Sequence, residues 1–197
     1  MLKKLYLSLA LGALSIAPSA HSSQLSLEQI EATIQDLIGH ISQAKHAIVM
    51  EMHKTLTIGE KAIEHHKALL TETYEPLAQK INDVLKNIIH SEEFNKSIEE
   101  FTNYQLDQIV EKGLCYNDIG YPEIKIEYPI FKKIEDELYK AFPTLDAQTE
   151  QLFNIFYVTA ANCRSHRLLL QKLDDNLNEL HQALTLANEA SNAVVNQ

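Results

Sequence analysis

Apolar residues recur every three or four positions along the first part of the chain, which is the spacing of one face of an α-helix. They form a seam that alternates steps of three and four, as in a coiled coil: Leu27, Ile30, Ile34, Leu37, Ile41, Ala44 and Ile48. Ser26 and Gln29 fit a capping box, so a helix is predicted to begin there. Because Glu51 interrupts the seam and Thr57 can begin a second capping box, we expect this helix to end or bend near residues 54–58.

A second apolar stripe runs from Ile63 to Ile88 and keeps its phase across Pro76. Proline removes a backbone donor and clashes with the preceding turn, so a kink or a break at Pro76 is predicted. Because the stripe keeps its phase, the kink is favoured. Ser91 can cap the next helix, because a hydroxyl before two acidic residues suits a helix N-terminus. Gly113, preceded by a lysine, is a typical helix stop.

Residues 113–129 lack a helical period. Within them Ile124, Ile126 and Tyr128 alternate with charged residues, which predicts a short extended segment. We interpret the stretch as a loop laid across a helical bundle, with a small strand pair as the alternative. Pro129 suits the first turn of a further helix, which should reach Phe142.

The last third of the chain carries the longest regular pattern. Its seam alternates steps of four and three and comprises Leu152, Phe156, Thr159, Cys163, His166, Leu170, Leu173, Leu177, Leu180, Leu184, Ala187, Ser191 and Val194. A helix over 146–189 is roughly 66 Å long, whereas a compact domain of this size is about 40 Å across. The sequence therefore predicts an elongated all-α bundle with coiled-coil-like packing, or dimerisation through part of this helix.

Residues 1–22 have the pattern of a secretory signal peptide. Lys3 and Lys4 precede an apolar run from Leu5 to Ala17, which is too short for a permanent membrane anchor. Cleavage after Ser19 or Ser22 is expected, and an uncleaved anchor is the alternative. The prediction is a single α-helical domain over 23–197, periplasmic or secreted, without a stable membrane anchor after cleavage.

The charge balance narrows the choice of partners. The chain has 17 Lys and Arg against 27 Asp and Glu, a formal net charge of −10. Such a surface opposes nucleic-acid binding, which needs cationic side chains to neutralise phosphates, and it suits a basic partner.

The chain contains two cysteines, Cys115 in the irregular loop and Cys163 on the seam of the last helix. In an oxidising compartment a pair of cysteines usually bonds. We therefore expect a Cys115–Cys163 disulfide that pins the loop, stabilising the fold by about 4 kcal/mol in the chain-entropy model.

Three residues of the first helix form a candidate metal site. His46, Met50 and His53 share one helix face, and imidazole with thioether is a ligand set that suits copper. The alternative is a polar face that happens to hold two histidines. His166, on the last seam, is expected to be a buried, hydrogen-bonded histidine, with axial ligation of a haem as the alternative.

Arg164 and Arg167 are the arginines of this chain, and they lie one turn apart beside Leu168 and Leu169. Since those leucines fall off the seam, this section is apolar on more than one side. It is interpreted either as the centre of the bundle, covered by other helices on several sides, or as an interaction patch of Arg164, Arg167 and Leu168.

No motif of the phosphate-binding, serine-hydrolase or zinc-protease type occurs. We therefore expect a non-enzymatic interaction or adaptor protein without a cofactor, whose partner is another protein or a second copy contacted through helix faces. A metal- or haem-binding bundle and a secreted membrane-active helical protein are the alternatives.

Overall fold

The chain is helical throughout the residues that the computed structural model describes, 26–120 and 128–195. These residues form five α-helices and one short 3-10 helix, and no strand occurs among them. The elements are α1 (Leu27–Leu69), α2 (Tyr74–Ile89), α3 (Glu92–Val110), the 3-10 helix (Tyr116–Asp118), α4 (Tyr128–Ala141) and α5 (Ala147–Val195). The predicted signal peptide and most of the predicted extended segment at 124–128 lie outside the described residues.

The beginning of α1 follows its sequence signals. The Gln29 amide donates to Ser26 Oγ at 3.2 Å, and the Ser26 amide donates to Gln29 Oε1 at 2.9 Å, which completes the predicted capping box. Ile41 and Ile48 on the predicted seam are fully buried. The first seam is therefore confirmed as the inward face of α1.

The predicted end of this helix near residues 54–58 is wrong, because α1 continues to Leu69 as a helix of 43 residues. The hydroxyl of Thr57 donates to the carbonyl of His53 at 3.0 Å. Thr57 thus uses its hydroxyl within the helix, as serine and threonine do at interior positions, instead of capping a new one.

The predicted kink at Pro76 is also wrong. The chain leaves α1 at Leu69 and starts α2 at Tyr74, so Pro76 is the third residue of a new helix. An amide in the first turn has no partner within its helix, so a proline there sacrifices no hydrogen bond. The apolar stripe keeps its phase across the break, which concealed the break in the sequence.

The signals around α3 are confirmed. Ser91 Oγ accepts a hydrogen bond from the Phe94 amide at 3.2 Å and caps the helix. At the other end Gly113 has a φ of 63°, a left-handed conformation that glycine adopts without a side-chain clash. The amide of Leu114 then donates to the carbonyl of Gln108 at 3.0 Å.

The described residues divide into two compact units. The smaller unit contains residues up to Ser42 together with those from Asp174 onward, and Ile34, Ile41 and Leu180 are buried in it. The larger unit runs from Gln43 to Leu173. Its core joins α2 with residues of α3, α4 and α5, and the members include Ile81, Ile88, Phe94, Ile130, Leu152 and Phe153.

The most buried line of α5 differs slightly from the predicted seam. His166, Leu173 and Leu180 are buried as predicted, but Leu169 and Asn176 are buried more deeply than the predicted Leu170 and Leu177. Burial of Leu169 agrees with a helix that is covered on more than one side.

No helix within residues 26–120 and 128–195 has both the length and the apolar content that crossing a membrane requires.

Candidate functional site

An open groove lies between α1 and α5 in the larger unit. It has a volume of about 590 Å³ and is lined by residues from Thr55 to Ala62 of α1 and from Ala147 to Asn162 of α5. Ile58 and Val158 line it from opposite helices, and 58% and 51% of their surfaces are exposed. The lining therefore presents large apolar side chains to solvent from both sides.

The floor of the groove depends on Gly59. A Cβ at this position would lie 2.8 Å from Oγ1 and 3.2 Å from Cγ2 of Thr159. Glu51, two turns earlier on α1, acts electrostatically on His166, two turns later on α5. The two helices are therefore antiparallel, and the missing side chain of Gly59 permits their close approach.

The expected Cys115–Cys163 disulfide is a wrong prediction. Both thiols are free; Cys115 is exposed and Cys163 is half-buried. The side chain that turns inward from this segment belongs to the next residue, Tyr116, which is 7% exposed. Cys115 lies directly before the 3-10 helix in an extended backbone conformation, and its side chain is in solvent. The contact between this loop and α5 therefore does not involve a disulfide.

A hydrogen bond between Tyr116 and His166 connects the loop to α5. The phenol oxygen lies 2.8 Å from His166 Nε2, and the two rings meet edge to face with centroids 6.2 Å apart. His166 is only 6% exposed, as expected for a buried, hydrogen-bonded histidine. Its other ring nitrogen, Nδ1, is buried without a hydrogen-bond partner among the described residues.

The protonation of His166 is governed by this burial. Desolvation lowers the pKa of the imidazole from its ordinary value of 6.5, because a charged ring is disfavoured away from water. The carboxylate of Glu51 acts in the opposite direction and is the weaker influence. The neutral ring is therefore the form that fits this site.

Arg164 and Arg167, from the predicted interaction patch, have different surroundings. Arg164 donates from Nη1 to the carbonyl of Ile89 at 2.9 Å and from Nη2 to Asn95 Oδ1, and its guanidinium lies 5.9 Å from the centre of the Phe94 ring. It thereby ties α5 to the end of α2 and the start of α3. Arg167 is exposed, and the neighbouring Leu168 is half-buried.

The candidate metal ligands lie within the uninterrupted helix α1. His46, Met50 and His53 are all exposed, and their spacing places them on one face. In the described part of the chain, no three side chains of His, Cys, Asp or Glu gather closely enough to hold a metal ion. A copper site at these residues stays a prediction, and titration with Cu(I) is its direct test.

Among the groove residues, only Thr159 was placed by the sequence, on the predicted seam of α5, and Tyr116 was not singled out. A usable signal exists for Ile58 and Val158, since both are β-branched apolar residues that lie off the seams of their helices. Tyr116 lies in a segment without periodicity, so only the three-dimensional structure shows its contact with His166.

Comparison with family models, with curated proteins and with solved structures found no match to this chain.

Proposed function

We propose that this protein is an exported, non-enzymatic helical interaction protein, and that the groove between α1 and α5 receives an amphipathic helix of another protein. One observation carries the proposal: two antiparallel helices expose large apolar side chains on both sides of one open groove. Helix-in-groove binding is a common mode of peptide recognition, in which an amphipathic helix lays its apolar face into an apolar channel.

The shape of the groove supports a helix as the occupant. Its floor contains Gly59 and Ala62, whose small size leaves space for side chains that enter from above. Ile58 and Val158 form the opposing sides and stand more than half exposed. Single exposed apolar residues are ordinary on protein surfaces, but a group of them around one depression is typical of a binding surface.

Charge favours a basic partner over a second copy of this chain. Among the described residues that line the groove, Glu150 carries a charge and none is a lysine or an arginine. The chain as a whole has a net charge of −10, so two copies repel each other. A helix with apolar residues on one face and lysine or arginine beside them complements the apolar lining of the groove and the negative charge of the chain.

Export is the second part of the proposal, and its support is the pattern of residues 1–22. A basic start, a short apolar run and small residues before the expected cleavage point are typical of a secreted precursor. The predicted compartment is a bacterial periplasm or the extracellular medium. The N-terminal sequence of the protein isolated from its natural source tests this: it should begin at Ala20 or Ser23. 

Site-specific photo-crosslinking tests the groove. A photoreactive residue is placed at Ile58 or at Val158 in the cells that produce the protein, and a third variant carries it at Leu186. Leu186 is a suitable control because it is 64% exposed and lies outside the groove. We expect positions 58 and 158 to label the same amphipathic segment of one other protein, and position 186 not to label it. Adducts only with a second copy, or the same adducts from all three positions, contradict the proposal.

A further inference from the structure

The hydrogen bond between Tyr116 and His166 joins the segment 113–120 to the middle of α5. Tyr116 and Ile119 are the buried side chains of the segment, at 7% exposure each. Glycines lie at both ends, Gly113 with its left-handed backbone and the exposed Gly120. Gly113 allows the backbone to change direction directly after the end of α3.

The pairing depends on a neutral imidazole. With one ring nitrogen bonded to Tyr116, a neutral His166 leaves Nδ1 buried without a partner. Nε2 of a neutral ring can accept a hydrogen bond from the Tyr116 hydroxyl, whereas protonation gives both nitrogens a hydrogen and removes this acceptor. Protonation also places a charge on the buried ring, and a buried charge that is incompletely paired is costly.

The groups that face the ring from other elements do not offset the cost of protonating it. Among the described residues these are the Tyr116 hydroxyl, from the 3-10 helix, and the Glu51 carboxylate, from α1. Glu51 favours the protonated ring, but its side chain is 34% exposed and it is ion-paired with Lys54 at 3.4 Å. Solvent and Lys54 therefore weaken its effect, and burial prevails.

We propose that Tyr116 and His166 form an acid-sensitive latch: the neutral imidazole holds segment 113–120 on α5, and protonation of the ring releases the segment. The burial of His166 lowers its pKa and thereby determines the direction of the pH dependence. Since the released ring binds a proton more readily than the latched ring, the latch is fully stable above pH 6.5 and weakens as the pH falls below that value.

Hydrogen exchange of the backbone amides in 113–120 measures this opening. Rates are compared at pH 7.5 and 5.0 after correction for the intrinsic pH dependence of exchange, with α2 as an internal reference for global unfolding. A released histidine of ordinary pKa favours opening by up to about 30-fold between these pH values. We therefore expect corrected exchange in 113–120 to rise by as much as about 30-fold, while exchange in α2 changes little.

Two variants and a control assign the effect to the latch. His166→Gln keeps hydrogen-bonding capacity without titrating, so its 113–120 exchange should not depend on pH. Tyr116→Phe should exchange faster than the wild type at pH 7.5 and show a smaller rise at pH 5.0. His181→Gln changes an exposed histidine of the same helix and should retain the wild-type response.

Three results overturn the latch: equal corrected exchange of the wild type at both pH values, a full pH response in Tyr116→Phe, or a rise in α2 as large as that in 113–120. Should His166→Gln fail to fold, Tyr116→Phe and an NMR titration of the His166 ring in the wild type replace it. A ring that titrates at or above pH 6.5 in the folded protein also contradicts the proposal.

Discussion

Gly59 of α1 and Thr159 of α5 approach each other so closely that a Cβ on residue 59 would lie 2.8 Å from Oγ1 and 3.2 Å from Cγ2 of the threonine. This contact sets the spacing of the two helices beneath the groove. A glycine inside a helix normally destabilises it by about 1 kcal/mol relative to alanine. Its presence in the middle of α1 is therefore explained by packing against α5.

A double-mutant cycle tests that explanation. Gly59→Ala should destabilise the wild type by up to about 2 kcal/mol, because the overpacking by the new methyl group exceeds the gain in helix propensity. In a Thr159→Ala background the same change should stabilise the protein by up to about 1 kcal/mol, since the clash is gone and alanine favours the helix. Urea unfolding of the four proteins gives both values. The same effect of Gly59→Ala in both backgrounds would show that the two residues are not in contact.

The Ser91 cap predicts a local effect on α3. Ser91→Ala removes the acceptor of the Phe94 amide and should lower the free energy of unfolding by about 1 kcal/mol. Ser42→Ala is the matched control, because Ser42 is exposed inside α1 and its hydroxyl bonds to the carbonyl one turn earlier. Its effect should lie within about 0.5 kcal/mol. Similar losses in the two variants contradict the assigned role of Ser91.

The two arginines of α5 should differ in their effect on stability. Arg164→Gln removes the guanidinium that contacts Ile89, Asn95 and Phe94, so a loss of about 1–2 kcal/mol is expected. Arg167→Gln changes an exposed residue and should alter stability by less than about 0.5 kcal/mol. Thermal unfolding monitored by circular dichroism compares them. If Arg167→Gln is the more damaging change, the assignment of Arg164 as the tie between helices is wrong.

Both thiols should react in the folded protein. Alkylation with iodoacetamide in the absence of a reductant is expected to label Cys115 and Cys163, and the exposed Cys115 should react first. Intact-mass measurement before and after denaturation counts the labels. A protein that takes up no label until it is reduced contains the disulfide, and the free-thiol geometry is then wrong.

The features that sequence reasoning predicted correctly depend on local interactions. Helix caps and stops involve residues only a few positions apart, as at Ser26, Ser91 and the left-handed Gly113. The neighbouring residues in the sequence were therefore sufficient to predict them. The inward faces of α1 and α5 were predictable because burial imposes a period of three to four residues.

The errors arose where one residue type has two uses. The hydroxyl of Thr57 can cap a new helix or bond back within an existing one, and Pro76 is compatible with a kink as well as with a first turn. The two cysteines indicated a bond, but spacing in the sequence does not tell where each sulfur points. The groove and the Tyr116–His166 pair depend on which parts of distant segments meet, which periodicity does not specify.

The most direct test of the central claim is a binding titration across the groove. The partner segment captured at Ile58 and Val158 is synthesised as a peptide and titrated calorimetrically into the wild type, Val158→Asp and Leu186→Asp. An aspartate at 158 places a charge against the apolar face of the bound helix, where no basic side chain is expected, so we predict affinity at least about tenfold weaker than that of the wild type. Leu186→Asp should bind within about twofold of the wild type, because a change outside the groove leaves the contact surface intact. Equal affinity of Val158→Asp and the wild type would contradict the claim that this groove is the binding surface.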